Sequence, residues 1–88
     1  MPARKTGRQQ VKRARRNRSA KTETRTLIGR ANRSLEAGDA EVAQPAVALA
    51  IRTLDRAVRK GIIHRNNAAR RKSRMMAKLS RLEQAAEA

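Results

Sequence analysis

The sequence predicts an all-α protein, a three-helix bundle with an extended basic N-terminal helix. Seventeen of its 88 residues are alanine, and no segment alternates apolar and polar residues as a half-buried strand does. Apolar residues recur instead every three or four positions, which is the spacing of one helix face. A chain of this length forms one small domain, residues 1–88, and we expect its basic extension, residues 1–19, to be partly disordered when the protein is free.

The first helix is predicted near residues 8–36. Its apolar stripe occupies only the second half of that range and comprises Ala20, Thr24, Leu27, Ile28, Ala31 and Leu35. A helix over 8–36 spans about 43 Å at about 1.5 Å per residue, which is far longer than this stripe. The cations from Arg8 to Arg18 spread over an arc of roughly 220°, so the first half of the helix has no apolar face to pack.

The second helix is predicted over residues 40–59. Gly38 can adopt the left-handed conformation that ends the first helix, Asp39 is a preferred N-cap, and Gly61 follows the end. The apolar side comprises Ala43, Val47, Ala50, Ile51, Leu54 and Val58, and the opposite side carries Arg52, Asp55, Arg56 and Arg59. Pro45 removes a backbone hydrogen bond, so we expect either a kink there or a helix that settles only after it.

The third helix is predicted near residues 65–85. One arc carries the apolar residues Ala68, Met75, Met76, Leu79 and Leu82, and the other carries Arg70, Arg71, Arg74, Lys78 and Arg81. The connections between helices are short, so consecutive helices are expected to be antiparallel neighbours in a bundle. Ile62 and Ile63, in the second connection, are expected to plug one end of it.

The charge of the chain points to a polyanionic partner. Lysine and arginine total 23 against 7 acidic residues, a net charge of +16. Residues 1–33 carry +11 and residues 59–88 carry +7, whereas residues 34–58 carry −2. Repulsion at this density destabilises a compact monomer, and a polyanion relieves it. Arginine outnumbers lysine, and its planar guanidinium suits phosphate recognition.

The missing aromatic residues narrow the class of nucleic acid. Readers of single strands usually stack bases on Phe, Tyr or Trp, and the chain has none of the three. This favours recognition of the backbone and shape of structured, double-helical nucleic acid.

The sequence has no combination of residues typical of an enzyme or a metal site. Cysteine is absent, so disulfides and thiolate zinc sites are unavailable, and His64 has no second histidine or suitable carboxylate as a partner. We therefore expect no catalysis, no cofactor and no metal. Glu36, Asp39 and Glu41 are interpreted as cap and first-turn charges in preference to a cation site. No apolar run suits a membrane span or a signal peptide, so a cytoplasmic location is expected.

Two segments carry the candidate nucleic-acid-binding residues. The first is a run of cations, Arg4, Lys5, Arg8, Lys12, Arg13, Arg15, Arg16 and Arg18. This run is either a solvated, disordered tail or a tail that becomes helical among phosphates, and we favour the latter for the bound state.

The second segment begins the third helix, where free backbone N–H groups can meet an anion. Its candidate residues are His64, Arg65, Asn66, Asn67, Arg70, Arg71 and Arg74. A simpler interpretation, compatible with phosphate contact, is that Asn66 caps the helix and His64 makes one local hydrogen bond.

Two runs of sequence match a known family. They are Leu35-Glu36-Ala37-Gly38-Asp39 and the run from Leu54 to Ser73, of which Lys60-Gly61-Ile62-Ile63-His64-Arg65-Asn66 is the most specific part. Through them the chain closely resembles the family of bacterial small-subunit ribosomal protein twenty, over nearly its whole length. The resemblance implies a three-helix bundle at the bottom of the small-subunit body that binds ribosomal RNA directly, early in assembly. Pro45 departs from what the family leads us to expect at that position.

The same resemblance implies which residues contact RNA. Transferred to this sequence, they are Arg8, Lys12, Arg13, Arg15, Arg16, Arg18, His64, Arg65, Asn66, Asn67, Arg70 and Arg71. The expected partner is small-subunit ribosomal RNA, with other ribosomal proteins only at the periphery, no membrane and no homo-oligomer. An alternative is a nucleoid-type DNA-compacting protein, which would share the basic charge. A membrane-active basic peptide is disfavoured because the most cationic segment has almost no apolar face.

Overall fold

The structure is a computed structural model that describes the backbone of residues 2–87 and the side chains of residues 11–86. It has three helices: α1 (Pro2–Ala37), α2 (Ala40–Arg59) and α3 (Arg65–Glu87). The described part of the chain contains no strand, so the predicted all-α, three-helix fold is confirmed. The bounds of α2 agree with the prediction, whereas α1 begins at Pro2, six residues earlier than predicted, and α3 extends two residues further.

The turn between α1 and α2 has the predicted chemistry. Gly38 has a φ of +80°, and its N–H donates to the carbonyl of Leu35 at 3.2 Å. The carboxylate of Asp39 accepts from the backbone N–H of Glu41 at 3.1 Å and so caps α2. The interpretation of Asp39 and Glu41 as cap and first-turn charges is therefore confirmed.

The turn between α2 and α3 ends α2 in a Schellman motif. Gly61 has a φ of +72°, which glycine adopts at little cost because it lacks a Cβ. The N–H of Gly61 donates to the carbonyl of Val58 at 3.0 Å, and that of Ile62 donates to Ala57 at 2.9 Å. The motif directs Ile62 and Ile63 back toward the bundle, where both are half-buried and Ile63 packs against the core.

The core of the bundle is made largely of small side chains. Among residues 11–86, ten apolar residues are buried: Ile28, Ala31, Leu35, Ala43, Val47, Ala50, Leu54, Ala57, Ala68 and Met75. Five of these are alanine, so the helices approach closely with little side-chain volume between them. The pairing of α1 with α2 is the most extensive, that of α2 with α3 is intermediate, and that of α1 with α3 is slight. A groove therefore remains open between α1 and α3.

The predicted apolar faces of α1 and α2 are confirmed, with every member of both stripes buried or half-buried. In α3 the prediction is wrong for Met76, whose side chain is 55% exposed. Met75 is the neighbour that enters the core, and Met76, about 100° further round the helix, lies outside the face that α3 packs against the bundle.

Pro45 lies inside α2, at an exposed position. The interpretation that the helix settles only after Pro45 is wrong, because α2 begins at Ala40. The cap at Asp39 and the bond from the N–H of Ala43 to the Asp39 carbonyl, 2.9 Å long, form the first turn before the proline. A kink at Pro45 stays a prediction.

The first half of α1 stands apart from the bundle. The buried residues of α1 begin only at Thr24, whereas residues 11–19 are all exposed. The helix therefore projects well beyond the two others, and the protein measures 68 × 20 × 14 Å along its principal axes. That this extension loses helical order in the free protein stays a prediction.

Candidate nucleic-acid interface

The predicted cations of α1 lie on the projecting part of the helix. Those with described side chains are all exposed: Lys12, Arg13, Arg15, Arg16 and Arg18. Arg4, Lys5 and Arg8 lie outside the residues whose side chains the structure describes. No acidic side chain lies between residues 11 and 18, so the described cations present an uninterrupted positive surface.

The predicted residues of the second segment lie at the start of α3. His64, Arg65, Asn66, Arg70, Arg71 and Arg74 are exposed, and Asn67 is half-buried. Both predicted segments are thus accessible to a large partner, as phosphate binding requires.

His64, and not Asn66, caps α3. The carbonyl of His64 accepts the N–H of Ala68 at 3.1 Å, and its Nδ1 accepts the N–H of Asn66 at 3.1 Å. Asn66 is the second residue of the helix, so its side chain lies two positions after the capping position. The single local hydrogen bond predicted for His64 is confirmed and is itself the cap. Because Nδ1 accepts, the neutral imidazole carries its proton on Nε2, which remains a donor.

Asn67 orients Arg71. The Nε of Arg71 donates to the Oδ1 of Asn67 at 2.7 Å, one helical turn apart. This bond fixes the plane of the guanidinium and occupies the amide oxygen. The remaining polar atoms of the pair, the terminal guanidinium nitrogens and the amide nitrogen, are all donors.

A cleft between α1 and α3 lies where the projecting part of α1 ends and α3 begins. Lys21 and Arg25 border it on the α1 side, and Asn67 and Arg71 border it on the α3 side, around a volume of about 260 Å³. Its remaining lining residues are Thr24, Ile28, Ile62, Ile63 and His64. We call this space the α1–α3 cleft, and no acidic residue in the described part of the chain lines it. The turn after α2 thus brings the start of α3 against α1 at the base of the extension.

Two further grooves show where the other predicted residues lie. Arg16 and Lys60 border a groove of about 440 Å³ that also contains Glu23. Arg65 lies away from α1, in a groove between α2 and α3 beside Asp55, whose carboxylate accepts from Lys72 at 2.8 Å. The predicted residues therefore surround one end of the bundle without converging on a single pocket.

The sequence matches the family described as ribosomal protein S20 over residues 2–80. That range includes α1, α2 and most of α3, with both basic regions. The chain belongs to the ribosomal protein S20 family. The small ribosomal subunit protein bS20 of Saccharophagus degradans is 48% identical over 80 residues, covering 91% of each chain. The bS20 protein of Thermomicrobium roseum is 51% identical over 70 residues, covering 80% of this chain and 71% of its own.

S20 family membership confirms the predicted resemblance and gives the DNA-compacting alternative no support. The structure adds three cations that were not predicted as site residues: Lys21, Arg25 and Lys60. Lys21 and Arg25 each follow a member of the apolar stripe, Ala20 and Thr24, which places them at the edge of the packed face. That spacing could have identified them from the sequence.

The described residues of this S20 family member show no group of three or more acidic or histidine side chains placed to hold a metal ion. None of its described helices combines the length and apolar character needed to cross a membrane.

Proposed function

We propose that the chain is a structural component of the bacterial small ribosomal subunit that binds ribosomal RNA directly and helps the subunit to assemble. The observation that carries the proposal is the meeting, in an S20 family member, of two basic regions that are distant in sequence. Lys21 and Arg25, which follow the projecting half of α1, adjoin the start of α3 at the α1–α3 cleft. The location that follows for the protein is the cytoplasmic ribosome.

The binding mode follows from the exposed side chains. The described cations from Lys12 to Arg18 and from Arg65 to Arg74 are arranged on two helices, and neither region has aromatic residues for stacking. The interactions are therefore mainly between guanidinium or ammonium groups and phosphates, and the release of counterions drives them. We propose that Arg4, Lys5 and Arg8 extend the same surface.

The contribution to assembly is electrostatic and mechanical. RNA helices that pack together repel through their phosphates, and a net charge of +16 on an 88-residue chain reduces this repulsion. The short α2, with its nearly neutral sequence, holds α1 and α3 at a fixed separation. No covalent bond is made or broken, so the proposed role is not enzymatic. Ribosomal RNA is the main partner, other ribosomal proteins touch the chain only peripherally, and the chain acts as one copy.

A filter-binding titration tests this function. The full chain is bound to small-subunit ribosomal RNA at increasing salt, with and without an excess of length-matched duplex DNA. We expect binding that survives the DNA and whose logarithm falls linearly with the logarithm of the salt concentration. Equal competition by duplex DNA would show a general polyanion binder, and the proposed function would be rejected.

A further inference from the structure

The α1–α3 cleft combines an apolar floor with a rim of hydrogen-bond donors, and a site that binds phosphate alone does not need the apolar floor. Its floor is apolar: Ile28 is buried, and Ile62 and Ile63 are half-buried. Thr24, also in the lining, is only 2% exposed, and its hydroxyl donates to the carbonyl of Ala20 at 2.8 Å. The hydroxyl's proton is therefore already committed within α1, and the floor offers a ligand chiefly apolar contact.

The rim of the cleft consists of hydrogen-bond donors. Lys21 and Arg25 supply positive charge from α1, and Arg71 supplies it from α3. The bond from Arg71 Nε to Asn67 Oδ1 leaves the amide nitrogen of Asn67 as a donor. The bond from the Asn66 N–H to His64 Nδ1 likewise leaves Nε2–H as a donor. Among the residues with described side chains no acidic one lines the cleft, so it suits a ligand that is rich in acceptors and negatively charged.

We propose that the α1–α3 cleft holds a single RNA nucleotide turned out of its helix, with the base on the isoleucine floor and the phosphate among Lys21, Arg25 and Arg71. This rests on the proposed function and deepens it. A phosphate contacts the rim but leaves the apolar floor empty, whereas an unstacked base covers that floor. Arginine side chains beside the base can also contact its face through their planar guanidinium groups.

The size of the cleft supports one nucleotide over a larger ligand. Its volume of about 260 Å³ lies just below the range of roughly 300–1,000 Å³ that is typical of pockets for drug-sized molecules. A duplex is too wide to enter it. The chain therefore recognises double-helical RNA by charge along α1 and, at this one place, an unpaired nucleotide by shape.

The four isoleucines of the chain provide an internal comparison. Ile28, Ile62 and Ile63 line the cleft, whereas Ile51 lies on α2 outside it. The chain has no Phe, Tyr or Trp, and the one other aromatic ring in the lining is the imidazole of His64. The comparison is therefore made in the His64→Asn chain as well, where a new aromatic ring beside an isoleucine methyl must come from the RNA. The full chain, with ¹³C-labelled isoleucine δ1-methyl groups, is compared by NMR when free and when bound to small-subunit ribosomal RNA. We expect an upfield ring-current shift for the three cleft methyls and none for Ile51.

Two variants sharpen the experiment. Arg25→Gln combined with Arg71→Gln should abolish the three cleft shifts at low salt, where the complex still forms through α1. Arg52→Gln, on the opposite side of α2, removes a cation and should leave the shifts unchanged. If the RNA binds and survives DNA competition but no cleft methyl shifts, or if Ile51 shifts equally, the nucleotide site is refuted while the proposed function stands. If DNA competes equally, both are rejected.

Discussion

The guanidinium of Arg71 is held by Asn67 through a hydrogen bond of 2.7 Å between Nε and Oδ1. The two residues lie one helical turn apart on α3, so the bond adds order to a long side chain before any ligand arrives. A side chain that is already ordered loses less conformational entropy on binding. In the proposed interface we therefore expect Asn67 to support RNA binding through Arg71, besides any direct contact of its own.

Replacing Arg71 by glutamine should remove one phosphate contact. In a salt titration with small-subunit ribosomal RNA, we expect the slope of log affinity against log salt to fall by about one. Arg71→Lys keeps the charge and should keep the slope. Lysine lacks the Nε that donates to Asn67, so the variant should bind the RNA more weakly. Arg52→Gln is the matched control for lost charge. An equal fall in slope for Arg52→Gln would show that only net charge matters.

His64 should stabilise the protein as the N-cap of α3. His64→Ala leaves the N–H of Asn66 without its acceptor, and we expect the free energy of unfolding in urea to fall by about 0.5–2 kcal/mol. His64→Asn supplies a preferred capping side chain and should restore most of that loss. Equal destabilisation by both replacements would contradict the capping role.

The two glycines with positive φ should be costly to replace. A Cβ at Gly38 or Gly61 would meet no atom within 4 Å, so the backbone strain of a positive φ, and not a lack of space, limits substitution. We expect Gly38→Ala and Gly61→Ala each to lower the free energy of unfolding, measured by thermal melting, by about 1–2 kcal/mol. Gly29 is the control: it lies inside α1, where a Cβ would meet only Arg33 Nη1 at 4.0 Å. Gly29→Ala should raise stability by roughly 0.5–1 kcal/mol, and a loss there would refute the distinction.

Leu54 is fully buried, and its truncation should nearly unfold the free protein. We expect Leu54→Ala to lower the free energy of unfolding by about 2–5 kcal/mol, measured by thermal unfolding followed by circular dichroism. A ligand that binds the folded chain more tightly than the unfolded chain stabilises the fold, so we expect added ribosomal RNA to recover helical signal. Leu49→Ala removes the same atoms from a side chain that is 43% exposed, and should change stability by less than about 0.5 kcal/mol. Similar losses for both would show that the assigned core is wrong.

Pro45 should weaken α2. Pro45→Ala restores an N–H that can donate to the Glu41 carbonyl. Alanine also gives the unfolded chain more conformational freedom, which opposes part of this gain. We expect a net rise of roughly 1–3 kcal/mol in the free energy of unfolding, measured in urea. Ala48→Gly, at another exposed position of α2, should instead lose about 0.5–1 kcal/mol. No gain from Pro45→Ala would mean that α2 already accommodates the proline without cost.

The sequence was most informative where turn chemistry is local. Gly38, Asp39 and Gly61 sufficed to place both ends of α2, because left-handed backbone and side-chain capping depend on a few neighbouring residues. At the N-terminus of α1 the local signal is Pro2, which suits the first position of a helix, whereas the prediction rests on charge and periodicity and starts the helix six residues too late. Met76 was assigned to the core because helical periodicity does not determine which of two adjacent methionines faces inward.

The candidate site was predicted only in part, because it depends on how the helices pair. The cations of residues 4–18 and the start of α3 could be identified by charge density alone. That Lys21 and Arg25 face Arg71 follows from the position of the turn against α1, which periodicity does not show. The assignment of the cap to His64 in place of Asn66 also required the hydrogen bonds.

The alanines of the core determine how thick the protein is. Helices that meet through alanine can lie near the lower end of the roughly 8–10 Å range of interaxial distances. The Cα atoms accordingly extend only 14 Å along the shortest principal axis. Ala43 and Ala50 are fully buried, so a larger side chain at either position should move the helices apart. The smallest side chains of the protein thus set the thickness of the bundle that it offers to its surroundings.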